Sequence, residues 1–138
     1  MSTIASTRQM IEGRRRQLGD DSAESVRKQA FPENNRRFFG TPAVVYLCLE
    51  RSLIPWSFYD IGSLAQSIML AAQEYGVDST PAVNLVMFPD AIRSVLGVPD
   101  NLLVLMGIAL GYRDSDDPRN AYRSERRSLE ETVRFAGV

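Results

Sequence analysis

Leu102-Leu103-Val104-Leu105-Met106-Gly107-Ile108-Ala109-Leu110 is an unbroken apolar block, and Ala43-Val44-Val45-Tyr46-Leu47-Cys48-Leu49 is its shorter counterpart. Turn-forming residues bound both: Gly40-Thr41-Pro42 precedes the first in the chain, and Val98-Pro99-Asp100-Asn101 precedes the second. Short, non-alternating runs bracketed in this way suit strands of a central sheet that is buried on both faces. Neither approaches the roughly 20 residues needed to cross a bilayer. The blocks therefore predict strands near 43–49 and 102–110, although periodicity alone leaves helix open for the second.

Working outward, Ile61, Leu64, Ala65, Ile68, Met69, Ala72 and Tyr75 recur at helical spacing and predict a long buried helix near 57–75, stopped by Gly76. Ser63, Ser67 and Ala71 form a line of small residues four apart, which would let a second helix approach closely. Pro89-Asp90-Ala91-Ile92-Arg93-Ser94-Val95-Leu96-Gly97 has proline at the start and glycine past the end, the signature of a short helix. Strand, helix, short helix, strand is an α+β or α/β layout around an interior sheet.

The chain has 138 residues, room for one domain over 1–138, and residues 1–34 read as a helical segment broken near Gly19-Asp20-Asp21. The formal charge of −1 argues against a nucleic-acid protein working by bulk positive charge. Arg14-Arg15-Arg16 lacks interleaved aromatics and reads as a solvated helix face. The first twenty residues contain no secretory apolar core, so the expected compartment is the cytoplasm, with no membrane partner.

Histidine is absent, which removes a Ser/His/Asp triad, a Cys/His dyad and imidazole metal sites together. Cys48, the single cysteine, sits within an apolar run and reads as an inert thiol. Asp60, Asp78 and Asp90 fall near helix ends, where caps and dipole partners are expected. Tyr59, Tyr75 and Tyr112 read as core or interface aromatics. Arg119, Arg123, Arg126 and Arg127 crowd one loop, which suits either a phosphate clamp or a solvated loop paired with Asp116, Asp117 and Glu125. Any redox or transfer chemistry must then come from carboxylates, tyrosines or a borrowed cofactor.

Several blocks in order carry a resemblance. They are Asn35-Arg36-Arg37-Phe38-Phe39-Gly40-Thr41-Pro42; Asp60-Ile61-Gly62 through Gln66–Ala72; Tyr75-Gly76-Val77-Asp78-Ser79-Thr80-Pro81; Pro89-Asp90 through Leu96–Asp100; Gly107–Tyr112; and Asn120 through Arg123–Arg126. Together, over roughly 35–135, they resemble the later part of the nitroreductase family of FMN-dependent oxidoreductases. The resemblance implies an α+β sandwich that forms a homodimer with FMN at the subunit interface. It also implies hydride transfer from NAD(P)H through the flavin to nitroaromatic or quinone-type acceptors.

By the same resemblance, Pro81, Ala82, Val83 and Asn84 lie beside the flavin ring through their backbone, Arg123 and Arg126 face its phosphate, and the small-residue line packs the dimer. The acidic or amide residue and glycine common at the ring-facing loop are replaced here by Val83 and Asn84. The family's opening phosphate motif and its Asn-x-Gln-Pro-Trp-like block have no counterpart, so the chain reads as an N-terminally truncated relative. The alternative is a non-catalytic remnant that serves as a dimerisation or assembly module.

Overall fold

The computed structural model describes residues 33, 36–117, 120, 123 and 126–137. The expected helical segment at 1–34, with Arg14-Arg15-Arg16, lies outside them apart from Glu33. Described residues up to Arg113 belong to one unit and those from Asp114 onward to another.

Both apolar blocks are strands. In the first unit, β1 (Ala43–Glu50), β2 (Asp78–Ala82) and β3 (Leu102–Gly111) form an antiparallel sheet in the order β1-β3-β2. The longest apolar run takes the middle position. It pairs Ala43 with Leu110 through Glu50 with Leu102 on one side, and Asp78 with Gly111 through Ala82 with Gly107 on the other. The Thr41 hydroxyl donates to the Leu110 carbonyl at 2.7 Å, tying the entry of β1 to the end of β3. At the opposite end Arg51 donates its backbone N–H to Asn101 and its Nε to the Asp100 carbonyl.

The predicted long helix is α1 (Trp56–Glu74), and Gly76 follows it at φ 67°, a left-handed conformation that stops a helix at little steric cost. Ile61 is its one buried residue, and Ala65, Ile68 and Met69 are half-buried beside it. These pack on one sheet face against Leu47, Leu49 and Ile108. A bulge between Leu47 and Cys48 leaves Leu105 as the extra residue of β3. Leu105 and Met106 consequently both join the helix-side cluster. The small residues in line along this helix, Ser63, Ser67 and Ala71, are exposed. The two serine hydroxyls donate back to the carbonyls of Tyr59 and Ser63.

β2 is the element that composition concealed. Asp-Ser-Thr-Pro-Ala reads as a turn, yet Pro81 pairs with Ile108, tolerated because β2 is the end strand where a missing N–H need break no second ladder. A short 3-10 turn, Val83–Val86, follows directly and buries Leu85. Then comes α2 (Pro89–Leu96), with Gly97 at φ 65° after it, as its sequence predicts. Arg93 on α2 donates to the carbonyls of Pro99 and Leu102, fastening the following turn to the start of β3. In the second unit the single turn α3 (Leu129–Thr132) is capped by Ser128, whose hydroxyl accepts from the Glu131 N–H. Glu130 has its carboxyl held below the usual range by its own backbone N–H and by Ser128.

The other sheet face carries Tyr46 opposite Gly107. Burial raises the Tyr46 phenol above its ordinary value of 10.0. The folded state therefore holds this proton longer than the unfolded chain does. Its contribution to stability is complete below pH about 10 and is lost as pH rises through the folded value. Denaturant melts from pH 8 to 11.5 are expected to show that loss, and Tyr46→Phe to flatten it.

Candidate functional site

The four residues expected beside a flavin ring are not a loop. Pro81 and Ala82 end β2, while Val83 and Asn84 open the 3-10 turn, so the segment is anchored at both ends. On one side Ala82 stands in register with Gly107. On the other, Leu85 is only 1% exposed, its Cβ stacked over the Gly107 Cα, where an added methyl would come within 2.5 Å of it. Glycine at 107 is thus what lets the turn lie directly on the sheet. Pro81 and Val83 are exposed and Asn84 is half-buried. Proline has no N–H, so the donors this segment can offer a ligand are those of Ala82, Val83 and Asn84.

Arg123 and Arg126 belong to the second unit and are exposed. The Arg123 guanidinium donates to the Asn120 carbonyl at 2.9 Å. Asn120 is itself held by its side-chain amide on the Asp114 carbonyl and by its N–H on that of Asp117. The Asp114 carboxylate accepts from the Asp116 N–H, the local turn bond typical of aspartate. Of the acids expected to pair with the arginines, Asp116 therefore serves the turn through its backbone; Arg119 and Glu125 lie outside the described residues.

Sequence reasoning missed a cleft beside this segment. Phe38, Leu85, Met87, Phe88, Ala91 and Ile92 line about 410 Å³ of space, with Arg36 and the Asn84 amide as its polar members. The signals were present in Arg36-Arg37-Phe38 and Met87-Phe88-Pro89, but the two stretches are brought together only by the fold.

Among the described residues no polar or charged side chain is buried, and no group of histidine, cysteine, aspartate or glutamate could hold a metal ion. Asp78 is engaged by the Gln73 amide at 3.2 Å and the Arg113 guanidinium at 3.8 Å, consistent with a structural carboxylate. No described helix is long and apolar enough to span a membrane. These features define a class: an α+β protein among whose described residues the one desolvated titratable group is the Tyr46 phenol and no polar or charged side chain is fully buried.

The chain belongs to the nitroreductase family, whose model matches residues 5–112. It is 36% identical over 108 residues to Nitroreductase NfnB of Mycolicibacterium smegmatis, covering 78% of this chain and 46% of that protein. It is 32% identical to a nitrobenzene nitroreductase of Ectopseudomonas oleovorans, covering 86% and 52%. Among solved structures it matches the FMN and NADPH-dependent nitroreductase NfnB from Sphigopyxis sp. strain HMH at a TM-score of 0.85 with 28% identity, over 100% of this chain and 62% of that one. The FMN-dependent nitroreductase NfnB from Mycobacterium smegmatis in complex with NADPH matches at 0.80 with 30% identity, over 99% and 61%. The chain thus spans about half the length of the curated relatives it matches.

Proposed function

We propose that this chain is part of an FMN-dependent oxidoreductase that passes hydride from NAD(P)H to nitroaromatic or quinone-type acceptors, working as a homodimer in the cytoplasm. The observation that carries the reading is the match, along the whole chain, to an FMN and NADPH-dependent nitroreductase. The donor set fits the cofactor chemically. Backbone N–H groups of the Ala82–Asn84 segment suit an electron-rich ring edge, and the exposed Arg123 and Arg126 suit a phosphate dianion through forked, charge-assisted hydrogen bonds. When bound, the flavin supplies the two-electron chemistry that no described side chain offers. The chain's own part is to bind, orient and exclude water.

The exposed face of α1 supports self-association. Tyr59, Leu70 and Tyr75 stand 78%, 62% and 81% exposed near the small residues Ser63, Ser67 and Ala71. That is a surface suited to close helix packing.

The test is direct. The purified chain is expected to bind FMN, take on flavin absorbance and oxidise NAD(P)H when a nitro substrate is added. Arg123→Ala and Arg126→Ala are each expected to weaken FMN about tenfold, the loss of one charged hydrogen bond, while leaving riboflavin, which lacks the phosphate, unaffected. A colourless dimer whose melting point ignores FMN would instead identify an assembly module.

A further inference from the structure

We infer that Met87 is a modification site for hydroperoxides: its thioether takes up one oxygen atom, and the resulting sulfoxide turns the apolar cleft between the Phe38 turn and α2 polar. The described methionines divide by position. Met69 and Met106 are half-buried against the cluster of Leu47, Leu49, Ile61 and Ile108, whereas Met87 is 57% exposed. An exposed thioether meets a dissolved oxidant that a packed one is shielded from.

Met87 is also held in place. Two residues before it, Leu85 is buried on Gly107, and on its other side Ile92 of α2 is buried as well. The Ile92 N–H donates to the carbonyl of Phe88. The backbone on both sides of Met87 is therefore anchored, and the thioether is presented at the wall of the cleft that Phe38, Leu85, Phe88, Ala91 and Ile92 also line.

The reaction balances with hydrogen peroxide as the oxidant. A sulfur lone pair attacks one peroxide oxygen, the S–O bond forms as the O–O bond breaks, and the second oxygen leaves as water after a proton passes to it from the first. Sulfur is oxidised and the peroxide is reduced. Because the oxidant is small and neutral, neither the Arg36 guanidinium at the cleft nor the Asp90 carboxylate on α2 steers it, and access selects the sulfur. Oxidation replaces a flexible apolar side chain by a polar, chiral one. In a cleft whose polar lining is otherwise Arg36 and Asn84, an apolar guest that covers the sulfoxide oxygen must strip it of water. The site stands apart from the flavin reading, since its chemistry needs neither FMN nor NAD(P)H.

The experiment treats the full chain, without flavin, with hydrogen peroxide and follows each methionine by peptide mass mapping. Met87 is expected to gain one oxygen before Met69 and Met106 do, with the melting temperature unchanged. A pair of methionine sulfoxide reductases, one for each epimer, is expected to restore it. Nile red, a neutral dye that fluoresces in apolar surroundings, reads the cleft. Oxidation is expected to weaken dye binding about two- to tenfold, the size of one polar group set against an apolar guest. Met87→Leu keeps the wall apolar and takes up no oxygen at that position. Treated in the same way it should keep its dye affinity, which separates Met87 from Cys48 and from every other oxidisable side chain. Oxidation of Met69 or Met106 ahead of Met87, a dye affinity untouched by the Met87 sulfoxide, or an equal loss in Met87→Leu overturns the proposal. Because FMN is absent throughout, failure of the flavin reading leaves these outcomes unchanged, and the reverse holds as well.

Discussion

Gly107→Ala is expected to destabilise the chain by about 1–3 kcal/mol and to weaken FMN binding at least about tenfold in the same variant. The added methyl would stand 2.5 Å from Leu85 Cβ, 3.0 Å from Cδ1 and 3.3 Å from Cγ. The last two contacts could be relieved by a new rotamer. The first could not, because Cβ is fixed to the backbone and moves only when the turn moves. Leu85 is held at 1% exposure with nowhere to retreat, so Val83–Val86 must lift from β3. Val83 and Asn84 immediately precede Leu85, and the displacement reaches the segment proposed to meet the flavin. Leu85→Ala in the Gly107→Ala background should fail to rescue, since it removes Cγ and Cδ1 but keeps Cβ. Urea melts read the stability, and flavin fluorescence quenching reads the affinity. A Gly107→Ala chain as stable as the parent and binding FMN normally would show that the turn does not rest on the sheet as described.

How much of this was legible beforehand divides by the kind of signal. Both long apolar runs became strands and the 3.6-residue stripe became α1, because a buried run or stripe records its partner in composition. The glycines at 76 and 97 ended their helices as read, both in the left-handed region. β2 was not legible. Its stability comes from pairing with β3 while its side chains are polar and include a proline, so nothing local marks it as extended. The sequence of Pro81–Asn84 therefore suggests a loop, whereas half of it is strand. In the sequence Gly107 is one small residue inside an apolar run, with nothing local to mark a contact. That it is the floor under Leu85 depends on two stretches over twenty residues apart, and the cleft between Phe38 and Phe88 is non-local in the same way.

The neighbouring residue is expected to behave oppositely toward the ligand, because strand geometry sends successive side chains to opposite faces. Ile108 is fully buried on the α1 side with Leu47, Leu49 and Ile61, and its register partners are Val45 on β1 and Pro81 on β2. It is the point at which both flanking strands and the helix meet. Ile108→Ala should cost about 2–5 kcal/mol, and Ile108→Val about 0.5–1.5, through lost burial and the cavity left behind. Against a typical total of about 5–15 kcal/mol, the alanine change removes a large share of the chain's stability. It lowers the melting temperature by roughly 3 °C for each kcal/mol. Yet the Ile108 side chain packs on the α1 face, opposite the one on which Leu85 rests at Gly107, so the fraction that remains folded should keep parental affinity for FMN. Titration well below the melting point separates the two faces: Gly107→Ala moves affinity along with stability, Ile108→Ala moves stability alone. A loss of affinity in folded Ile108→Ala matching that of Gly107→Ala would mean that the sheet transmits strain across its thickness, and that Gly107 acts through general loosening rather than through the position of Leu85.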